Sequence, residues 1–283
     1  MNRYRVAHAR QVRGAARVSP GIVAVGLLAL GALTVASPLR AQQPARTWCV
    51  TAMDDDHKPV TGLGQEDFAL KDGGARQPVV SVEPATGPIA IGLVFWGPLM
   101  GTSGVGHELN GLNPASRVVA DVSIAASGQN PGFLLQSIEQ VAATVSRTQG
   151  FERRAIILVV SAAIPATQLQ GATTLAQVVE RSETPLWTVE TVADTDGPPW
   201  SAAQPRPRTT ADDVLDAAVS VGGGMRWRVK TDDELADGAA RVAALLSAAQ
   251  YFVTANLPAI YTPPAPIATR HDRGVVLVPA WPR

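Results

Sequence analysis

The chain has 283 residues, of which 46% are hydrophobic and 17% charged, with 24 basic and 24 acidic side chains. That apolar fraction with so modest a charge excludes a disordered polyelectrolyte, and an aromatic content of 5% argues against a surface built to stack bases or sugars. One cysteine, Cys49, rules out an intramolecular disulfide, so the fold must be held by packing.

The chain opens with Arg3, Arg5, Arg10, Arg13 and Arg17 and no acidic residue, continues through an apolar run at 21–36, and reaches Ser37-Pro38-Leu39-Arg40-Ala41. This is the pattern of a cleavable secretory signal. The run falls short of the roughly 20 apolar residues of a spanning helix. Residues 1–41 are therefore expected to be a signal peptide, and the remainder an extracytoplasmic protein, periplasmic or secreted, with no membrane span. No cysteine lies near the cut to carry a lipid. The segment holds six arginines, and its loss leaves 18 basic side chains against 24 acidic ones, a net of −6. An acidic surface gives no support for nucleic acid or anionic lipid as a partner.

Residues 42–86 read as a small β unit. Residues 47–53 are β-rich, with Cys49 expected as a small buried hydrophobe between Trp48 and Val50. Asp54-Asp55-Asp56-His57 has the look of a metal cluster, but turn chemistry accounts for it better, since Asp side chains bond their own backbone in tight turns. A short strand is expected at 66–70, a hairpin turn at Lys71-Asp72-Gly73-Gly74, and a further strand at 78–82.

From residue 87 to 283 the pattern becomes apolar strands alternating with amphipathic helices. Strands are expected at 89–96, 118–125, 155–161, 185–192, 225–229, 251–257 and 274–279. Helices are expected at 132–147, from Thr174 to about Arg181, at 211–221 behind Thr210, and from Thr231 to about Ala249. Thr174 with Gln177, and Thr231 with Glu234, have capping-box spacing. Trp187 and Trp227 fall in strands and are expected in the core. Residues 193–208, rich in Pro, Gly and Asp, should be a surface loop carrying Trp200. The alternation predicts an α/β fold, a mainly parallel sheet with helices on both faces, preceded by the small β unit. Ligand sites in such sheets lie off the carboxyl ends of the strands, so the loops after Trp96, Ser161 and Val192 are the ones to weigh.

Several motifs in those loops fall short of a known chemistry. Residues 97–104, Gly-Pro-Leu-Met-Gly-Thr-Ser-Gly, follow a strand but lack the lysine of a phosphate loop. Ser103 has Gly101 before it but Val105 after it, so the hydrolase elbow is missing. The scattered histidines His57, His107 and His271 give a catalytic triad no support. Asp194 and Asp196 supply two carboxylates, too few for a calcium site.

The segment VTAMDDDHKPVTGLGQEDFALKDGG, the run ERRAIILVVSAA followed by TTLAQVVERSETPLWTVE, and the tail from DVLDAAVSVGGGMRWRV to AAQYFVTANL occur in an order that covers most of residues 48–257. Together they resemble the von Willebrand factor A-related domain family of acidobacterial type. The resemblance implies a von Willebrand factor A-like fold and a metal-ion-dependent adhesion site on top of its sheet. That site needs Asp-x-Ser-x-Ser after the first strand, a threonine from a later loop and an Asp closing the central strand. Here the first strand ends VFWGPLMGTSG and the central one AIILVVSAA, so both anionic ligands are missing. A few hydroxyls do not offset the dehydration of magnesium. The resemblance also implies a first helix, which the Gly- and Asn-rich stretch before Ser116 leaves reduced to a turn or absent.

The expectation is thus a non-enzymatic interaction module with a degenerate adhesion site, no metal and no cofactor. It would meet an unidentified protein partner through a face bearing Trp96, Met100, Thr102, Ser103, Ser161 and Trp200. The alternative is a hydrolase or a divalent-metal-dependent binder using other loop residues.

Overall fold

The computed structural model describes residues 45–72, 75–98, 109, 115–126, 129–191, 210–231, 233–256, 267–269 and 276–282. The apolar runs at 89–96 and 153–160 form strands β5 (Ile89–Trp96) and β7 (Arg153–Val160). Every β5 side chain is buried, as a strand covered on both faces requires. Ile89, Ile91, Leu93 and Phe95 point to one side of the sheet, and Ala90, Val94 and Trp96 to the other. β7 repeats this with Ala155, Ile157 and Val159 against Ile156, Leu158 and Val160. Full burial of each such aliphatic side chain contributes about 1.5–3 kcal/mol, before the chain entropy that opposes it.

These two strands are the centre of a five-stranded sheet completed by β6 (Arg117–Ile124), β8 (Leu186–Thr191) and β9 (Arg226–Val229). The spatial order is β6-β5-β7-β8-β9 and every pairing is parallel. The chain steps outward from β5 to β6, then crosses back to β7, so the strand order reverses between β5 and β7. This is a doubly wound, Rossmann-like arrangement.

Helices cover both faces. One face carries α1 (Phe133–Arg147), α2 (Leu175–Ser182) and α3 (Thr210–Gly222). The other carries α4 (Glu234–Ala248), joined by the buried Leu109. α1 approaches β5 closely because Gly92 has no side chain. A Cβ there would strike Val141 and come within 2.8 Å of Val145. Phe133, at the first position of α1, is 38% exposed, while Leu134 and Leu135 behind it are buried.

The capping box of α2 forms as its spacing predicts. Gln177 N–H donates to Thr174 Oγ1 at 3.2 Å, and Thr174 N–H to Gln177 Oε1 at 2.9 Å. The expected box at Thr231 and Glu234 does not form. The residue preceding α4 is Asp233, already helical in its backbone, and the Glu234 carboxylate accepts from Lys230 N–H at 2.8 Å instead. α3 begins at Thr210 itself, one residue earlier than expected.

The small β unit is completed from far along the chain. β1 (Ala45–Met53) pairs antiparallel with β10 (Gln250–Asn256) and with β12 (Val276–Pro282), and β10 pairs in turn with β4 (Val79–Pro84). Strands predicted at 251–257 and 274–279 as part of the second region therefore belong to an antiparallel sheet of order β12-β1-β10-β4, its strands drawn from both sides of residue 86. Its core is Trp48, Val50, Ala52, Phe68, Tyr251 and Val253, with Leu63, Val79 and Ala255 around them. A three-stranded sheet, β11 (Ile267–Thr269), β2 (Phe68–Asp72) and β3 (Ala75–Gln77), lies alongside in sequence. The Asp72↔Ala75 pairing fits the predicted hairpin, whose two glycines lie outside the described residues. The strand expected at 66–70 starts late because Asp67 turns back, its carboxylate accepting from Gly64 N–H at 2.8 Å and making a helical turn of 65–67.

One buried arginine ties the two sheets together. Arg153, 2% exposed at the start of β7, donates to the Gly87 carbonyl, to the Leu246 carbonyl at the end of α4 (2.6 Å) and to Gln250 Oε1 of β10 (3.0 Å). Gln250 then passes the contact on, its amide N–H donating to Thr51 Oγ1 of β1 at 3.3 Å.

Candidate functional site

The carboxyl ends of β5 and β7 lie at the reversal of strand order, where doubly wound sheets open a crevice. In this protein the described strand ends at that position are tied to one another. Ser161 N–H donates to the Trp96 carbonyl (2.9 Å) and Gly97 N–H to the Ile124 carbonyl (3.0 Å), so β5, β6 and β7 stay zipped to their last residues. Gly97 sits at φ +140, and a Cβ on it would collide with Ser161 Oγ. Only glycine permits this approach.

Trp96 is 1% exposed, with its ring in the core beneath α1 and its indole N–H donated to the Ala163 carbonyl at 3.3 Å. This corrects the expectation that Trp96 presents itself to a partner. At the last β5 position its side chain falls on the α1 side of the pleat, where it supports the rim from below. Ser161 is half-buried against Gly97. Met100, Thr102, Ser103 and Trp200 lie outside the described residues, as do Asp194, Asp196, His107 and His271.

Beside these strand ends is a small cleft of about 30 Å³ between the end of β7 and the first turn of α3. Glu190, Thr191 and Asp212 line it, with Val160, Ala162 and Ile164. That is room for a water molecule or two. Its carboxylates are already engaged. Arg226 of β9 donates to both oxygens of Glu190 (2.7 and 2.6 Å), to Asp212 Oδ1 (2.8 Å), to the Asp212 carbonyl (2.9 Å) and to Asp216 Oδ1 (2.6 Å). Arg228, two residues along the same strand face, adds a bond to Asp212 Oδ1 at 2.9 Å, and Thr188 donates to Glu190 Oε1 at 2.8 Å. Burial alone pulls the Arg226 guanidinium toward its neutral form. The bonds from Glu190, Asp212 and Asp216 outweigh that and hold it charged well above its ordinary range.

The sequence reading missed this cluster. A signal was present, because Arg226 and Arg228 alternate with Trp227 and Val229 and so put two cations on one face of a strand otherwise expected in the core. Their partners lie on β8 and α3, and nothing local announces the encounter.

A divalent cation is poorly served here. Among the described residues the ends of β5 and β7 offer one hydroxyl, Ser161, and no carboxylate, while Glu190 and Asp212 are buried at 8% and 6% exposure and bound to arginine. Among the described residues no group of three His, Cys, Asp or Glu side chains is arranged to hold a metal. The Asp54 cluster is a turn. Asp54 Oδ1 accepts from Lys58 N–H (2.7 Å), its carbonyl accepts from His57 N–H (2.9 Å), and His57 sits at φ 60.

Of the tryptophans expected in the core, Trp187 is fully buried. Trp227 is half-buried, with the His57 ring edge-on at 5.2 Å and the Arg241 guanidinium 5.3 Å from its ring centre. Among the described residues no helix is long and apolar enough to cross a membrane. No family model matches the chain, and no curated protein matches it.

Proposed function

We propose that this chain is an exported, non-enzymatic protein-interaction module of von Willebrand factor A type that works without a metal ion. The observation that carries the reading is the floor of the strand-order reversal. Where the adhesion site of that family would need two carboxylates, this chain places Trp96, sealed beneath the rim, and Ser161, closed against Gly97. Two acids among the described residues beside it, Glu190 and Asp212, are paired with Arg226. Freeing either for a cation would break a buried, hydrogen-bonded ion pair with Arg226, which the remaining carboxylates only partly replace. The export signal read at 1–41 fits a protein that meets its partners outside the cytoplasm.

Calorimetric titration of the purified protein with magnesium, calcium and manganese tests the reading. No binding heat and no change in melting temperature are expected. Tight binding of any of the three with a raised melting temperature overturns it.

A further inference from the structure

A groove of about 280 Å³ runs between α1 and α2 on the outside of the parallel sheet. Its floor is apolar, with Ala142 and Val178 buried, and it stays open because Ala143, Ser146 and Ser182 are too short to close it. Its rim is charged, and Glu139, Arg147 and Arg181 stand exposed along it.

Those charges are only loosely matched within the chain. Glu139 and Arg181 meet at 3.5 Å with side chains 48% and 58% exposed, a pair that contributes little in high dielectric. Arg147 has no ion pair or hydrogen bond among the described residues. The last turn of α1 favours a cation there but gives it no carboxylate.

Along α1 the charges are placed symmetrically. Glu139, Ala143 and Arg147 follow at intervals of four residues and so share one ridge of the helix. Half-buried Ala143 sits midway between the two charges in height and in azimuth, about 6 Å along the axis from each. A second copy of α1, turned end over end about Ala143, therefore sets Glu139 of each helix against Arg147 of the other. The methyl at the centre lets the helices approach, and the second helix covers the groove. A patch of one sign calls for the opposite sign on another molecule, whereas this ridge is its own complement.

We propose that two copies of the chain associate through this face of α1 and the groove beside it, antiparallel about a two-fold axis at Ala143. Both crossed ion pairs lie on a polar, exposed ridge, so the dimer is weak and reversible, with its register set by charge. Nothing in this contact involves the carboxyl ends of the sheet, and it stands or falls apart from the metal-free reading.

Sedimentation equilibrium of the purified protein between about 10 µM and about 1 mM tests it. A monomer–dimer equilibrium is expected, weakened about threefold or more between about 0.05 and 0.5 M salt. Arg147→Glu brings carboxylates face to face at both ends of the contact and should weaken the dimer about tenfold or more, as should Glu139→Arg with two cations. Arg147→Glu loses no internal ion pair, so circular dichroism should show it folded. Mixed in equal amounts, the two variants should pair again, because one ridge then carries two cations and the other two carboxylates. Val80→Asp, on exposed β4, should leave the dimer unchanged. A monomer throughout the range overturns the proposal and leaves the groove to another occupant. A dimer indifferent to both reversals, or one lost equally on Val80→Asp, puts the contact elsewhere and overturns it too. So does a mixture of the two variants that stays monomeric, since the reversals then acted by something other than charge.

Discussion

Replacing Arg226 by Met keeps most of the side-chain volume and deletes the one cation that touches Glu190, Asp212 and Asp216 together. The three carboxylates fare differently. The Asp216 side chain is 41% exposed and can return to water, and Asp212 retains Arg228, but Glu190, 8% exposed, loses both guanidinium bonds and keeps the Thr188 hydroxyl. Removing one member of a buried pair costs about 3–5 kcal/mol, and the compensation at Asp212 and Asp216 favours the low end, about 3 kcal/mol. For a domain of this size that is a fall in melting temperature of about 6–12 °C, and a large share of the typical 5–15 kcal/mol of total stability. Urea unfolding followed by far-ultraviolet circular dichroism measures it. Adding Glu190→Gln should recover part of the loss, because the two residues are coupled. A loss below about 1 kcal/mol or strict additivity of the two substitutions would refute the view of this cluster as a mutually neutralised unit.

Arg153→Met should cost about 2–4 kcal/mol by leaving the Leu246 and Gly87 carbonyls and Gln250 without their charged donor, and hydrogen exchange should show β1 and β10 losing protection more than β7. Gly92→Ala should destabilise by about 1–3 kcal/mol because its methyl meets Val141 and Val145 of α1, and Val141→Ala in the same chain should restore much of it on thermal unfolding. Asp121, on the outer strand β6, has its carboxyl raised above the ordinary value by desolvation. A raised folded value means the protonated form is the one favoured by folding, so the stabilising share is complete below the unfolded value and lost as pH rises through the folded one. Asp121→Asn should therefore gain slightly at neutral pH, within about 0.5 kcal/mol for so exposed a site. The gain should vanish as pH falls through the carboxylate range, as read from melting temperatures across pH.

The sequence by itself determined the elements that answer to short-range rules. The two-sided burial of β5 and β7 follows from unbroken apolar runs, the start of α2 from the Thr174–Gln177 spacing, and the Asp54 turn from carboxylates beside their own backbone amides. The same local signal failed at Thr231 and Glu234, where the carboxylate found the Lys230 amide instead. Only the tertiary structure decided which distant segments meet. Residues 250–256 read as a strand in either sheet, and their place beside β1 and β4 depends on where α4 delivers them. Glu190, Asp212 and Arg226 are each unremarkable in their own elements, and become a buried ion cluster because α3 lies across β8 and β9. Trp96 carries the same lesson at the candidate site. Its position in chain put it at the top of the sheet, but the pleat and the cover of α1 turned it inward, since burying a tryptophan outweighs displaying one.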